Sequence, residues 1–92
     1  MSLVPGAARP AIGRGYRLQW EAAQEAHVLL YPEGMVKLNG SAAAILTRCD
    51  GCRTVEEIAA DLERAYGATG LSSDVTAFVA LAVQQGWLEV RE

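Results

Sequence analysis

The residues with the clearest potential for chemistry are two cysteines in a C-x-x-C arrangement, Cys49-Asp50-Gly51-Cys52. Such a pair can act in redox chemistry or supply half of a zinc site. A structural zinc site needs four ligands, and His27 is the only further Cys or His in the chain. In a redox motif a helix begins at the cysteines, whereas Asp50-Gly51 is expected to end one, so the helix dipole would not lower a thiol pKa. We therefore expect a structural Cys49, an incidental Cys52 and no metal.

No other constellation indicates catalysis. His27 is the only histidine, and no serine or cysteine has an evident base with an acid to orient it, as nucleophilic catalysis requires. The acidic residues of the second predicted helix lie opposite its apolar stripe, which is typical of a solvated face. We expect no catalytic residue and no cofactor, so the protein is not expected to be an enzyme.

Charge and hydropathy exclude several partners. Residues 1–15 carry two arginines and no acid, whereas residues 16–92 carry six basic and eleven acidic residues, a net charge of −5. An acidic domain does not favour a phosphate backbone, so we expect no nucleic acid. No apolar run approaches the roughly 20 residues that span a bilayer, and no secretory signal is evident. We expect no membrane association and a cytoplasmic location.

The order of the predicted elements defines an α+β domain. Residues 1–15, rich in Gly, Pro and Ala without periodicity, predict a flexible arm, and residues 16–92 predict a single domain. Apolar residues alternate from Tyr16 onwards and again on both sides of a Pro-Glu-Gly turn at residues 32–34, which predicts three strands. These predicted strands cover residues 16–21, 27–31 and 35–38.

Three helices are predicted after the strands. The first is short, with apolar residues at helical spacing, and Asn39 or Ser41 can cap it. The second begins at a capping box, residues 54–57, and its apolar stripe extends to Ala65 and Tyr66, which we expect to be buried. The fold expected is winged helix-turn-helix-like, with an N-terminal three-stranded antiparallel sheet followed by a three-helix bundle.

The third predicted helix is apolar on more than one face. Val75, Phe78, Val79 and Ala82 form its core stripe, and Leu81 lies outside that stripe. The helix contains no Lys or Arg, which argues against a DNA-recognition helix. Periodicity leaves two explanations for the extra apolar surface. Either the sheet or a second copy of the chain covers it, or it forms a groove with the third strand, where an extended peptide could add a strand.

Six short motifs keep a common order and spacing between Arg17 and Val90; they occupy residues 17–21, 28–34, 38–42, 49–51, 74–78 and 86–88. The most specific is the turn Tyr31-Pro32-Glu33-Gly34, followed by Leu-Asn-x-Ser-Ala. In combination the motifs resemble the pyrroloquinoline quinone (PQQ) biosynthesis protein D family, PqqD.

The resemblance implies a non-catalytic peptide chaperone. Members of that family bind a ribosomally made precursor peptide and present it to a radical S-adenosylmethionine (SAM) enzyme, and the same fold is a recognition element in other modified-peptide pathways. The peptide lies between the third strand and the third helix. Carried onto this chain, the peptide-binding residues would be Met35, Val36, Lys37, Leu38 and Asn39 on the strand, and Asp74, Phe78, Leu81 and Gln85 on one flank of the helix.

Two alternatives from other functional classes stay open at this point. A homodimeric interaction domain could bury the third helix against its copy in a partner subunit. A redox or metal module using Cys49 and Cys52 is the third candidate.

Overall fold

The structure, a computed structural model, describes residues 4–91. Within these residues it contains eight elements that form an α+β fold, which confirms the predicted fold class. In chain order they are β1 (Arg9–Ile12), β2 (Arg17–Glu21), β3 (Ala26–Tyr31), β4 (Gly34–Lys37), α1 (Gly40–Leu46), α2 (Val55–Tyr66), α3 (Ser72–Gln85) and β5 (Leu88–Arg91).

The predicted three-stranded sheet is formed by β2, β3 and β4, with β3 in the centre and both pairings antiparallel. Its register aligns Leu18, Leu29 and Val36 across the face that covers the helices. Leu29 is fully buried on this face. Successive side chains of a strand point to opposite faces, so Val28 lies on the outer face. Val28 is also fully buried, beside Gln19 on the neighbouring strand.

Local capping signals set the helix boundaries. The side chain of Asn39 accepts a hydrogen bond from the Ala42 N–H and so caps α1, which decides between the two predicted caps. The predicted capping box at the start of α2 is present, because Thr54 and Glu57 bond to each other's backbone N–H groups. Gly86 ends α3 in the left-handed conformation.

The helices and both sheets share one core cluster. It joins Leu29 of β3 to Ile45 and Leu46 of α1, to the apolar stripe of α2, and to Val75, Val79 and Ala82 of α3. The prediction for the end of α2 was wrong: Ala65 and Tyr66 are exposed, and Tyr66 is 65% exposed. The buried stripe of α2 stops at Leu62, because a cleft separates the last turn of this helix from its neighbours.

The structure also differs from the prediction of a flexible arm over residues 1–15. Of the described residues 4–15, those from Arg9 to Ile12 form β1, which pairs antiparallel with β5 in a second, two-stranded sheet. Ala8, Pro10 and Ala11 are buried. Residues 1–3 of the predicted arm lie outside the described residues.

Backbone hydrogen bonds explain why the N-terminal segment is held. The Pro10 carbonyl accepts from the Gly51 N–H at 2.9 Å, and the Ala8 carbonyl accepts from the Val55 N–H at 3.0 Å. The first N–H groups of a helix have no partner within the helix, so the segment satisfies a donor of α2 that the capping box leaves free. The domain therefore includes residues that the sequence alone assigned to an arm.

We expect Ala11→Asp to lower the free energy of unfolding by about 2–4 kcal/mol, because the new carboxylate would be buried without a partner. Ala11 is 5% exposed. Chemical denaturation would measure the change, with Arg9→Thr, an exposed position of the same strand, expected to stay within about 0.5 kcal/mol of the parent. Equal stability of Ala11→Asp and the parent would show that β1 is not docked in solution.

Candidate functional site

The candidate site begins at the outer edge of β4. Among the described residues, β4 pairs with β3 on one side and with no strand on the other. The Leu38 N–H donates to the His27 carbonyl at 3.0 Å, so the hydrogen-bonding backbone groups of Leu38 face β3. Backbone groups alternate in direction along an antiparallel strand, so Val36 also faces β3 whereas Met35 and Lys37 face outwards. Two residues of β4 thus present N–H and C=O groups to an incoming strand.

The second wall of the site is one flank of α3. At 100° per residue, Asp74, Phe78, Leu81 and Gln85 lie within an arc of about 60°. Phe78 is half-buried and packs against the core cluster, whereas the other three are exposed. Leu81 is 47% exposed, which confirms that it lies outside the core stripe. This flank offers an apolar strip with a polar group at each end.

Contacts at both ends show that β4 and α3 run in opposite directions. Near the start of β4, the rings of Tyr31 and Tyr16 have centroids 5.5 Å apart. The Tyr16 ring in turn lies close to Gly86, where α3 ends: a Cβ atom added to Gly86 would be 4.0 Å from this ring. Beyond the end of β4, Gly40 lines the same cleft as Asp74 in the first turn of α3. The edge of β4 and this flank of α3 are therefore the two sides of the candidate groove.

The dimensions of these two sides agree. At about 3.3 Å per residue, the five steps from residue 34 to 39 span about 17 Å. The eleven steps of α3 from residue 74 to 85 span about the same length at 1.5 Å each. The helix packs chiefly on α2 and β5 rather than on β4. A groove of this length accommodates about five residues of an extended peptide.

The predicted strand residues contribute to this groove in different ways. Val36 points to the helix side, and both Val36 and Phe78 are half-buried and pack against the core cluster. Met35 and Lys37 have exposed side chains on the opposite face of the sheet. Leu38 is buried in the core and its backbone faces β3, so neither its side chain nor its hydrogen-bonding groups line the groove.

Asn39 differs from the other predicted strand residues because its side chain is already engaged. Its Oδ1 accepts the Ala42 N–H at 2.8 Å as the cap of α1. An amide oxygen used in capping is less available to a ligand. The structure therefore favours a structural role for the Asn39 side chain at the end of the groove.

A cleft at the end of the groove was missed by the sequence analysis. It has a volume of about 530 Å³ and lies between α1, the last turn of α2 and the first turn of α3. The apolar lining of this cleft includes Ile45, Leu62 and Leu71, and Tyr66 also lines it. The sequence signal for this cleft is the aromatic residue Tyr66 at the end of α2. The helical periodicity assigned Tyr66 to the core, whereas the structure exposes it.

The two cysteines are in different environments. Cys49 is buried, and its thiol donates to the Ile45 carbonyl at 3.3 Å. Burial, followed by the negative charge of Asp50, raises the pKa of the Cys49 thiol from 9.0 to about 12. Cys52 is free and exposed. A pKa this high keeps Cys49 in the thiol form, which is not the nucleophile of redox exchange.

Among residues 4–91, no group of three or more His, Cys, Asp or Glu side chains is arranged to hold a metal ion. None of the helices in these residues combines the length and the apolar character needed to span a membrane.

An open strand edge beside an amphipathic helix is the arrangement of a peptide-recognition module that binds its ligand by strand addition. Residues 26–88 match the sequence profile of the family described as "Coenzyme PQQ synthesis protein D (PqqD)". The chain belongs to the PqqD family.

Individual relatives agree with this assignment. The chain is 57% identical over 83 residues to a "PqqA binding protein" of Stutzerimonas stutzeri, covering 89% of this chain and 90% of the relative. A "PqqA binding protein" of Klebsiella pneumoniae is 59% identical with the same coverage.

A solved structure of a relative has the same fold. It is the solution NMR structure of the PqqD truncation of Methylobacterium extorquens PqqCD, described as a functional and stand-alone recognition element for ribosomally synthesized and post-translationally modified peptides (RiPPs). The TM-score is 0.70 at 34% identity, and the match covers 94% of each chain.

We expect Cys52→Ser to leave folding and peptide binding unchanged, whereas Cys49→Ser should lower the free energy of unfolding by about 1–2 kcal/mol because it places a hydroxyl in the core. The Cys49 pKa is raised on folding, so its contribution is complete below pH 9 and is lost as pH rises towards 12. Between these values the stability of the parent should fall faster than that of Cys49→Ser, by up to about 1.4 kcal/mol per pH unit. Identical pH slopes in denaturation would contradict a buried thiol.

We expect Lys37→Pro to weaken peptide binding at least tenfold, because proline removes an outward N–H from the edge of β4. Val36→Pro should instead reduce stability, since the Val36 N–H faces β3. Calorimetric titration with a synthetic precursor peptide and denaturation of the same samples would separate the two effects. Lys37→Ala keeps the N–H and serves as the control for the side chain. If Lys37→Pro bound as well as Lys37→Ala, strand addition at this edge would be excluded.

Proposed function

We propose that this protein is a non-catalytic peptide chaperone of PQQ biosynthesis. It binds the ribosomal precursor peptide as an added strand in the groove between β4 and α3. The single observation that carries the proposal is the outward-facing backbone of Met35 and Lys37 beside an exposed apolar flank of α3. Relatives named for binding PqqA support the choice of ligand.

The roles of the groove residues follow from their positions. The outward N–H and C=O groups of Met35 and Lys37 pair with the peptide backbone, which is independent of peptide sequence. Val36, Phe78 and Leu81 contact alternate side chains of the added strand on its helix side. Asp74 and Gln85 lie at the two ends of the α3 flank and provide polar contacts there.

Presentation to a radical SAM enzyme is the second part of the proposal. A bound strand uses one side of the peptide backbone for β4, so its other side and the peptide beyond the groove stay accessible. A chaperone of this kind holds the peptide extended without reacting with it. It acts in the cytoplasm and uses no cofactor of its own.

A homodimer is a competing use of the same surface. The exposed side chain of Leu81 and the free edge of β4 would also be covered if two copies met along this groove. Peptide binding and self-association would then exclude each other, and measuring mass together with affinity distinguishes them.

We expect Leu81→Asp to keep the domain folded and to lower peptide affinity at least tenfold, because it places a charge on the apolar flank without disturbing the core. Thermal melts, calorimetric titration and analytical ultracentrifugation of one sample would test this. Gln84→Asp adds the same charge at an exposed position off the flank and should bind normally. Unchanged affinity of Leu81→Asp would exclude this flank, and unchanged affinity together with conversion of a dimer to a monomer would favour the homodimer.

A further inference from the structure

We propose that the cleft between α1, α2 and α3 is a specificity pocket for one bulky apolar side chain of the bound peptide, placed just beyond the segment that pairs with β4. This inference rests on the proposed function. It adds a second point of recognition, outside the strand edge and the α3 flank, and it defines the chemistry of the peptide residue that enters.

The first argument is continuity between the cleft and the groove. The chain passes directly from β4 into α1, and Gly40 and Ser41 of α1 line the cleft. A Cβ on Gly40 would have no neighbour within 4 Å, so the space beside the end of β4 is open. Asp74 belongs to both the groove flank and the cleft lining. A peptide lying along β4 would therefore end beside the cleft.

The second argument is the chemistry of the lining. Ile45, Leu62 and Val75 belong to the core cluster, and Leu71 packs against it, so the bottom of the cleft is apolar and firmly held. The polar groups are the Ser41 hydroxyl, the Asp74 carboxylate and the Tyr66 phenol. A site with an apolar bottom and few polar groups selects an aromatic or branched aliphatic side chain rather than a charged one.

The third argument is the distribution of exposed apolar residues. Four large hydrophobic side chains of the described residues are more than 45% exposed: Trp20, Met35, Tyr66 and Leu81. Trp20 lies on β2, and the Met35 side chain lies on the face of the sheet opposite the helices, whereas Leu81 belongs to the α3 flank and Tyr66 to the cleft. Leu81 and Tyr66 therefore expose apolar surface on the helix side, at the flank and at the cleft, which is typical of an interaction surface. Tyr66 would then close over the inserted side chain.

Energetics supply a reason for such a pocket. Only two residues of β4 direct their backbone outwards, and the few hydrogen bonds they make do not offset the entropy lost on ordering an extended peptide. Burial of an apolar side chain adds affinity and, unlike backbone pairing, depends on peptide sequence. The cleft would therefore allow the protein to distinguish its peptide from other extended chains.

The test compares two alanines on neighbouring helices. Ala44→Phe fills the cleft, which Ala44 lines, whereas Ala60→Phe makes the same change at a half-buried position of α2 outside the cleft. We expect calorimetric titration with a synthetic precursor peptide to show at least a tenfold loss of affinity for Ala44→Phe and less than a twofold change for Ala60→Phe. In ¹⁵N-labelled parent protein, the peptide should shift the amide resonances of Ile45 and Leu71 as well as those of residues 35–37.

The peptide provides the complementary arm. Its large apolar residues are replaced by alanine one at a time, and one replacement should cost at least tenfold with the parent protein but little more with Ala44→Phe. The position of this sensitive residue in the peptide also gives the binding direction. A peptide antiparallel to β4 would place a residue near its N-terminal end in the cleft, whereas a parallel peptide would place a residue near its C-terminal end there. If Ala44→Phe did not fold, Tyr66→Ala, at an exposed position, should still lose severalfold affinity.

The outcomes separate the two proposals. If the parent bound the peptide with shifts confined to β4 and residues 78–85, and Ala44→Phe and Tyr66→Ala bound normally, the specificity pocket would be excluded while the chaperone function stood. If the parent did not bind the peptide at all, the proposed function itself would fail. If Ala44→Phe abolished self-association but not peptide binding, the cleft would belong to a second copy of the chain, and the inference would be overturned.

Discussion

The alternation of backbone hydrogen bonds along β4 is the constraint on which the site depends. Leu38 and Val36 direct their N–H groups to β3, and this pairing fixes the strand and its register. The same alternation obliges Met35 and Lys37 to direct theirs away from the sheet. An edge of this kind is usually shielded, because it can pair with any extended chain. In the proposed binding mode, a strand added at this edge would be covered on one face by the apolar flank of α3.

The position of α3 follows from what holds it elsewhere. Its buried residues pack towards α2 and β5, and the second sheet anchors its C-terminal end through Leu88, which is buried. The β1 strand supports this arrangement by pairing with β5, and the carbonyls of Gly6 and Ala8, just before it, accept hydrogen bonds from the first N–H groups of α2. Helix α3 is thus held in place by α2 and β5 rather than by β4. None of these supports requires contact between α3 and β4.

Features encoded by neighbouring residues could be predicted from the sequence, and features that depend on distant partners could not. The capping box at Thr54, the turn at residues 32–34 and the core stripe of α3 are local patterns with a direct physical meaning. The β1 strand has no such pattern, because Arg9–Ile12 is held by a partner strand at the other end of the chain. Tyr66 was misjudged for a related reason: periodicity gives the face of a helix but not the point at which the neighbouring helix begins.

The balance of affinity in the groove limits what strand addition can achieve alone. Met35 and Lys37 can make about four backbone hydrogen bonds to an added strand, a net gain of roughly 2–6 kcal/mol. Ordering about five peptide residues costs roughly 5–10 kcal/mol of backbone entropy. Since the entropy cost exceeds the hydrogen-bond gain, side-chain burial must supply the net affinity, at about 25 cal/mol for each Å² of apolar surface removed from water. In the proposed binding mode, binding strength and selectivity therefore arise at the apolar flank of α3 and in the cleft beyond it, while the strand edge sets position and direction.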